Sequence, residues 1–366
     1  MSEPRSPFHL VVYSDSSELG GAEVVLGRLL GALPPQIKVS IVGVHEEVVD
    51  WLRQHRSDSD GTVLTAITGR GDVVGMWRHR QVFARLCPDV LQFNLSTGSS
   101  CQWAMVAAAT LRGVRRVALE HSSMGVWSAS SARLKRLVEH RLDAHVAVGE
   151  RTARLIEQST GLPPGSIRTI HHGVDPVPAV STDRPEEPTI INVARHDPVK
   201  GVDLLLDAVA LIERPVKLVL VGEGTETPAL VAQARGLGIA DRVEFRGSTW
   251  GGTSAAGIMG SFDLFVLPSR LEGFPVTVVE AMLAGIPVVA TDVGSVREQL
   301  TDGETGWIVA PEDPPGLAGA IIEVLDDPGE ARRRAAAGHE FALARFTLSA
   351  TVEAWEQLYR ELLSHS

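Results

Sequence analysis

Cysteine is nearly missing from this sequence, with Cys87 and Cys101 the two thiols in 366 residues. Two cysteines cannot build a disulfide scaffold, and neither stands at metal-ligand spacing from a histidine. Both therefore read as ordinary buried thiols, and no structural zinc is implied. Long apolar runs are also lacking. No segment reaches the roughly 18 uninterrupted apolar residues of a membrane span, and the opening MSEPRSPFHLVVYSD has no apolar core of a secretory signal. The expectation is a cytoplasmic protein. Lysine is scarce, 4 of the 34 basic residues, which reads as genome composition rather than function. Concentrated positive charge is lacking too: residues 1–176 carry 19 Lys+Arg against 17 Asp+Glu, and residues 177–366 carry 15 against 28, for a net charge of -11. Affinity for a phosphate backbone comes from clustered cations, so nucleic acid is disfavoured as a partner.

What is present is ordinary globular material, 44% hydrophobic and 22% charged. The length is generous for one core, and two domains are expected. In the first half, short β-branched runs alternate with helical patterns. HLVVY leads to a helix from about Gly21, then VSIVGV, TVLTAI, a helix near 73–86, DVLQF, a helix from about 102, RRVALE, a helix near 131–140, AHVAV, and a helix from Glu150. Such alternation predicts parallel strands joined by right-handed crossovers, a doubly wound α/β domain. A linker at about 176–188, rich in Pro and charge, is followed by the same alternation: TIINVA, KLVLVG, RVEFRG, DLFVLP, PVVAT and GWIVA, with helices between and helices near 314–326, 329–343 and 348–363 beyond. The predicted domains are residues 1–176 and 177–345, with a terminal helical segment over 346–366. Ligands of open α/β sheets bind at the carboxyl ends of the strands, in a cleft that two such domains would share.

The stretch LEGFPVTVVEAMLAGIPVVA, residues 271–290, holds two carboxylates in apolar surroundings. Pro275 sits where a helix can begin, because its missing N–H costs nothing there. The amides of Val276 and Thr277 are then first-turn donors at a positive dipole end, suited to a diphosphate. Glu272 precedes the helix. Glu280 lies about 7.5 Å along its axis, at 1.5 Å per residue, so the two carboxylates bracket the phosphate position. One could bind a ribose diol and the other the hydroxyls of a sugar. Taken alone, Glu272 could equally cap the helix and Glu280 belong to a solvated face.

LPSRLEGFPVTVVEAMLAGIPVVATDVG resembles the Glu-x7-Glu signature of family-four retaining glycosyltransferases. The resemblance extends in order along most of the chain, through SELGGAEVVLGRLL, LEHSS, IHHGVD, NVARHDPVKGVDLLLDA, LVGEG, VEFRG and DGETGWIV. It implies the GT-B fold, two facing Rossmann-like doubly wound domains with parallel sheets and an interdomain cleft, and a terminal helix around Trp355 and Tyr359 that crosses back to the first domain. It also implies an enzyme moving a sugar from a nucleotide-sugar to a hydroxyl acceptor with retention. UDP-sugar is favoured over GDP-sugar, as a substrate rather than a cofactor.

Site roles follow from the resemblance. Arg195 and Lys200 would hold the donor diphosphate and neutralise it as it leaves, which is stabilisation of charge that develops in the transition state. Glu272 would position the sugar and Glu280 the ribose, with Gly273, Phe274, Val276 and Thr277 among the donor contacts. His121, after strand RRVALE, would face the transferred sugar. Gly20 and Gly21 would let backbone approach donor or acceptor, and Gly222 would do so at a later strand end. Arg246, in VEFRG, would line the nucleobase pocket. At His171-His172 relatives commonly carry Asn-Gly, so a departure at the hinge or nucleotide pocket is expected.

Retaining glycosidases use carboxylates about 5–5.5 Å apart, one of them a nucleophile. The helix start between Glu272 and Glu280 does not suit that arrangement. A same-face substitution is expected instead, with the departing phosphate oxygen accepting the acceptor's proton. No metal is implied, since Arg195, Lys200 and a helix N-terminus replace its charge. A sugar-nucleotide epimerase and a non-catalytic sugar-nucleotide binding subunit are the competing readings. The acceptor, a small molecule, a glycan or a lipid-linked hydroxyl, would be read by SDSSELGG, FNLSTGSS and HSSMGVWSASS. SARLKRLVEHR, with Arg133, Lys135, Arg136 and Arg141, reads as a solvated basic face, with peripheral contact to anionic lipid at the inner membrane face as the alternative.

Overall fold

The computed structural model describes residues 7–122, 129–176, 187–247 and 255–364. The chain forms two compact units, Met1–His172 with Leu348–Ser366, and Gly173–Thr347. The division falls after His172, ahead of the predicted linker, whose residues 177–186 lie outside the described part.

In the first unit the elements are β1 (His9–Ser14), α1 (Gly21–Ala32), β2 (Lys38–Gly43), α2 (Glu46–His55), β3 (Asp60–Val63), α3 (Val73–Leu86), β4 (Val90–Leu95), α4 (Gln102–Ala108), β5 (Arg115–Glu120), α5 (Ala129–Glu139), β6 (Ala144–Ala147), α6 (Glu150–Thr160) and β7 (Arg168–Thr169). Among the described residues they make a seven-stranded sheet of order β3-β2-β1-β4-β5-β6-β7. Every pairing is parallel, as Val11 beside Ser40 and Leu91 exemplifies. Helices cover both faces, so the central strands read as continuous apolar runs, and all six residues of β4 are buried.

The second unit repeats the plan with β8 (Thr189–Val193), α7 (Val202–Ala210), β9 (Lys217–Val221), α8 (Thr227–Gly236), β10 (Val243–Arg246), α9 (Ala255–Met259), β11 (Leu264–Leu267), α10 (Val276–Leu283), β12 (Val288–Thr291), α11 (Val296–Gln299), β13 (Trp307–Val309), α12 (Pro314–Asp326) and α13 (Pro328–Arg345). Its sheet, also parallel, runs β10-β9-β8-β11-β12-β13. A core of Leu205, Leu206, Val209, Leu218, Leu220, Val266 and Ile321 is fully buried, each such side chain contributing roughly 1.5–3 kcal/mol.

The last helix, α14 (Leu348–Ser364), packs against α1 of the first unit. Trp355 and Tyr359 are buried on it, and Tyr359 donates its hydroxyl to Gln92 Oε1 of β4 at 2.6 Å. No described helix is long and apolar enough to cross a membrane.

Local outcomes differ from expectation at four places. The third strand runs Asp60–Val63 rather than through TVLTAI, because its pairing with Ser40–Gly43 ends there. Pro275 is the N-cap residue and α10 begins at Val276. Cys87 is exposed rather than buried, since it caps α3 in the left-handed conformation at φ 46°. Lys135 is buried rather than part of a solvated basic face, its Nζ paired with the buried Glu120. His145 joins that pair through Nε2 at 3.1 Å from Glu120 Oε1. With these partners Lys135 serves the interior of α5, although burial draws its ammonium down to about 7.

Candidate functional site

In the second unit the strand order reverses between β8 and β11, so the crevice for a ligand opens beyond their carboxyl ends. The two loops leaving these strands carry Arg195, Lys200 and Glu272. They are fastened together. Arg270 donates its backbone N–H to Val199 O at 2.8 Å, and its Nη1 to Pro198 O at 2.7 Å. The same guanidinium forks onto Asp203 at 2.6 and 2.7 Å and reaches Glu312 through Nε at 2.6 Å. Burial alone would raise the Asp203 carboxyl, but the Arg270 fork outweighs it and holds the group below its ordinary range. Gly201 completes the join: at φ +63° its missing Cβ would stand 2.1 Å from Pro268 O.

This framework brings Lys200 onto Glu272. The ammonium donates to Oε1 at 2.8 Å and to Oε2 at 3.0 Å. Ser269, wholly buried, donates its hydroxyl to the same Oε1 at 2.7 Å. Ser269 is in turn fixed by Thr291, whose hydroxyl reaches the Ser269 carbonyl at 2.6 Å. Gly294 lets the chain pass close behind, since a Cβ there would meet Glu272 O at 2.3 Å. Arg195 stands on the same loop as Lys200, half-exposed, with Nη2 at 2.8 Å from Asp197 Oδ2.

Val276 and Thr277 open α10, where first-turn amides have no partner inside the helix. Gly273 accepts Ser295 N–H at 2.9 Å, and Phe274 packs edge-on against Phe346 at 5.6 Å. Glu280 is buried on α10.

Gly222 and Gly224 have a reason within the chain. A Cβ at Gly222, φ +140°, would lie 1.9 Å from Ala194 O, and one at Gly224 would lie 2.4 Å from His196 O. These glycines let the loops after β8 and β9 pass one another. Arg246, at the end of β10, folds back on Glu244 at 2.5 Å and lies half-exposed.

In the first unit the strand order reverses between β1 and β4. Gly20 is the N-cap of α1, where its N–H donates to Glu23 Oε2 at 3.1 Å. A Cβ at Gly21 would meet nothing within 4 Å, so internal packing does not require that glycine. Beyond β1, Asp15 Oδ2 accepts the N–H of Cys101 at 2.6 Å. Burial raises the Asp15 carboxyl above its ordinary value.

His121 follows β5, and both its ring nitrogens are engaged. Asn94 Oδ1 accepts Nε2–H at 2.6 Å, which leaves Nδ1 of the neutral ring to accept Nε2–H of His172 at 3.1 Å. The rings stack with centroids 5.0 Å apart. Burial draws His121 down to about 3 and His172 well below its ordinary value, so both are neutral at physiological pH. The unusual His-His of IHHGVD thus has a structural role: His172 is the partner of His121. The acceptor loop predicted at HSSMGVWSASS lies largely outside the described residues.

Sequence reasoning passed over Ser269 and Arg270, and it read Asn94 within FNLSTGSS as part of an acceptor loop rather than as a partner of His121. Ser269 and Arg270 stand immediately before the carboxylate-bearing stretch 271–290. Asn94 lies in an apolar strand, where a buried amide is itself a signal that something polar must meet it.

The Glycosyl transferases group 1 family matches residues 177–340, and Glycosyltransferase Family 4 matches residues 19–177. The lipopolysaccharide core biosynthesis mannosyltransferase LpsB of Rhizobium meliloti is 31% identical over 276 residues, 68% of this chain and 73% of the relative. The glycogen synthase of Mycobacterium tuberculosis is 32% identical over 199 residues, 53% of this chain and 48% of the relative. The chain thus spans about half the length of that synthase. Among solved structures, Anabaena Alr3699/HepE in complex with UDP superposes with a TM-score of 0.82 at 20% identity, covering 97% of this chain and 100% of that one. The two parallel-sheet, Rossmann-like units are those of the GT-B fold. The chain belongs to glycosyltransferase family four.

Proposed function

We propose that this chain is a retaining glycosyltransferase that moves a sugar from a nucleotide-sugar, a UDP-sugar before a GDP-sugar, to a hydroxyl acceptor. The observation that carries the reading is the joined pair of loops at the β8/β11 switch point, which sets Lys200 against Glu272 beside the opening of α10. Lys200, Arg195 and the first amides of α10 supply positive charge for a diphosphate, and Glu272 and Glu280 supply acceptors for hydroxyls. Anabaena Alr3699/HepE has also been solved with UDP-glucose, which favours uridine in this chain's donor.

In the reaction, the glycosidic C–O bond to the diphosphate breaks while the acceptor oxygen bonds the same carbon on the same face. The acceptor's proton passes to the departing phosphate oxygen. Arg195 and Lys200 take up the charge that appears there, which serves in place of a metal ion. His121 is not the base in this scheme, because both its nitrogens are committed within the first unit. Its ring is a fixed neutral wall beside Asn94.

The test is incubation of the full chain with UDP- and GDP-sugars, with and without sugar, glycan and polyprenol-linked acceptors, with and without a chelator. Nucleotide released only when an acceptor is present, and undiminished by chelator, supports transfer. A changed sugar released without acceptor identifies an epimerase. Tight binding with no turnover on any acceptor identifies a binding subunit. An inverted anomeric configuration in the product rejects same-face substitution.

A further inference from the structure

Both cations assigned to the diphosphate already hold carboxylates of the chain, and the two pairs differ in strength. Arg195 meets Asp197 with its guanidinium 47% exposed. A pair so open to solvent is weak and screened. Lys200 is 23% exposed and Glu272 9%, so that attraction acts in a medium of lower dielectric. The Lys200 ammonium lies within hydrogen-bond reach of both oxygens of Glu272. An incoming diphosphate cannot take full hold of Lys200 while those bonds persist.

Glu272 also has a tether that does not depend on Lys200. The hydroxyl of Ser269 holds Oε1 from inside the protein, and Thr291 holds Ser269. Losing the ammonium would therefore leave the carboxylate anchored at one oxygen and unbonded by Lys200 at the other.

We propose that Glu272 is a resident anion on Lys200 which the donor diphosphate displaces, and that Ser269 keeps the released carboxylate in position for the sugar. This rests on the donor reading above and adds an order to it: phosphate binding is what frees Glu272 to accept from sugar hydroxyls. Ser269 is a positioning residue, acting through Glu272. A free sugar, having no phosphate to engage Lys200, meets a carboxylate already occupied, so the exchange selects for the diphosphate-linked form.

The experiment is calorimetric titration of the full chain with inorganic pyrophosphate, UDP and GDP, using wild type, E272Q, K200M and the double variant. Removing the competing anion should tighten pyrophosphate binding of E272Q by about tenfold, the equivalent of one modest charge-assisted hydrogen bond. In the K200M background the E272Q change should have no effect, because the competition runs through Lys200. Equal or weaker binding by E272Q overturns the exchange. So does a gain that survives in K200M, which reports only the loss of a negative charge. Should E272Q fail to fold, E272D retains the charge while shortening its reach to Lys200; tighter pyrophosphate binding supports the exchange, and unchanged binding overturns it. S269A should leave pyrophosphate affinity unchanged and lower kcat about tenfold, whereas a merely structural serine would move both. Wild type that binds neither pyrophosphate nor UDP nor GDP overturns the donor reading together with the exchange; wild type that binds them with no gain in E272Q overturns the exchange alone.

Discussion

Gly201→Ala provides a quantitative test of how the two site loops are joined. Gly201 has φ +63°, and a Cβ there would lie 2.1 Å from Pro268 O and 3.0 Å from its carbonyl carbon. A β-carbon in the left-handed region costs about 1 kcal/mol. The overlap is with backbone, so the loops after β8 and β11 must separate, and forced overpacking adds about 1–3 kcal/mol. The expected loss is therefore about 2–4 kcal/mol. Gly285 offers an internal control, because it has φ +71° and a Cβ there would meet nothing within 4 Å. Gly285→Ala should cost only the backbone contribution, about 1 kcal/mol. Urea unfolding of wild type and both variants, followed by tryptophan fluorescence at one pH, measures the difference. Donor titration should show Gly201→Ala weakened as well, since Lys200 moves with its loop, and Gly285→Ala unaffected. Equal destabilisation by the two substitutions would refute the close passage of the loops.

Two further outcomes follow from the stacked histidines and from α10. His121 and His172 are held neutral in the folded chain, whereas the unfolded chain protonates them as pH falls through about 6.5. The unfolded state then binds more protons, so their contribution lowers stability as pH falls from about 6.5 toward 3, by up to about 1.4 kcal/mol per pH unit for each, and is absent above that range. Nitrogen-15 spectra of labelled histidine should show no protonation of either ring between pH 8 and pH 5; a titration midpoint near 6.5 for either would contradict their burial. Glu280→Gln should weaken UDP binding roughly ten- to a hundredfold, as expected for a lost charge-assisted contact, while pyrophosphate binding stays unchanged. Parallel loss of both would remove the ribose role.

Most of the framework was readable because fully buried parallel strands advertise themselves as β-branched runs. TIINV, KLVLV and LFVL each became a strand. The helix Glu46–His55 was passed over although its sequence carries the signs, acidic residues in the first turn and Arg53 and His55 in the last. The two-residue strand Arg168–Thr169 is too short for any periodicity to show. At the site, Lys200 and Glu272 were named separately from motif resemblance, but their contact spans 72 positions and no local pattern encodes it. The same is true of Arg270 with Asp203, and of His121 with His172, pairs made by sheet topology. Gly222 illustrates the converse. Its identity was legible and its reason was not, since the carbonyl it accommodates belongs to Ala194, on a neighbouring strand's exit.

The placement of α14 bears on the order in which the molecule is made. The first unit has its sheet early in the chain, yet the helix that covers Gln92 and packs on α1 is synthesised only after the whole second unit. On the ribosome, the unit translated later is the first whose contacts can all be completed. The earlier one must wait, with the flank reserved for Trp355 and Tyr359 uncovered, until residues 348–364 emerge.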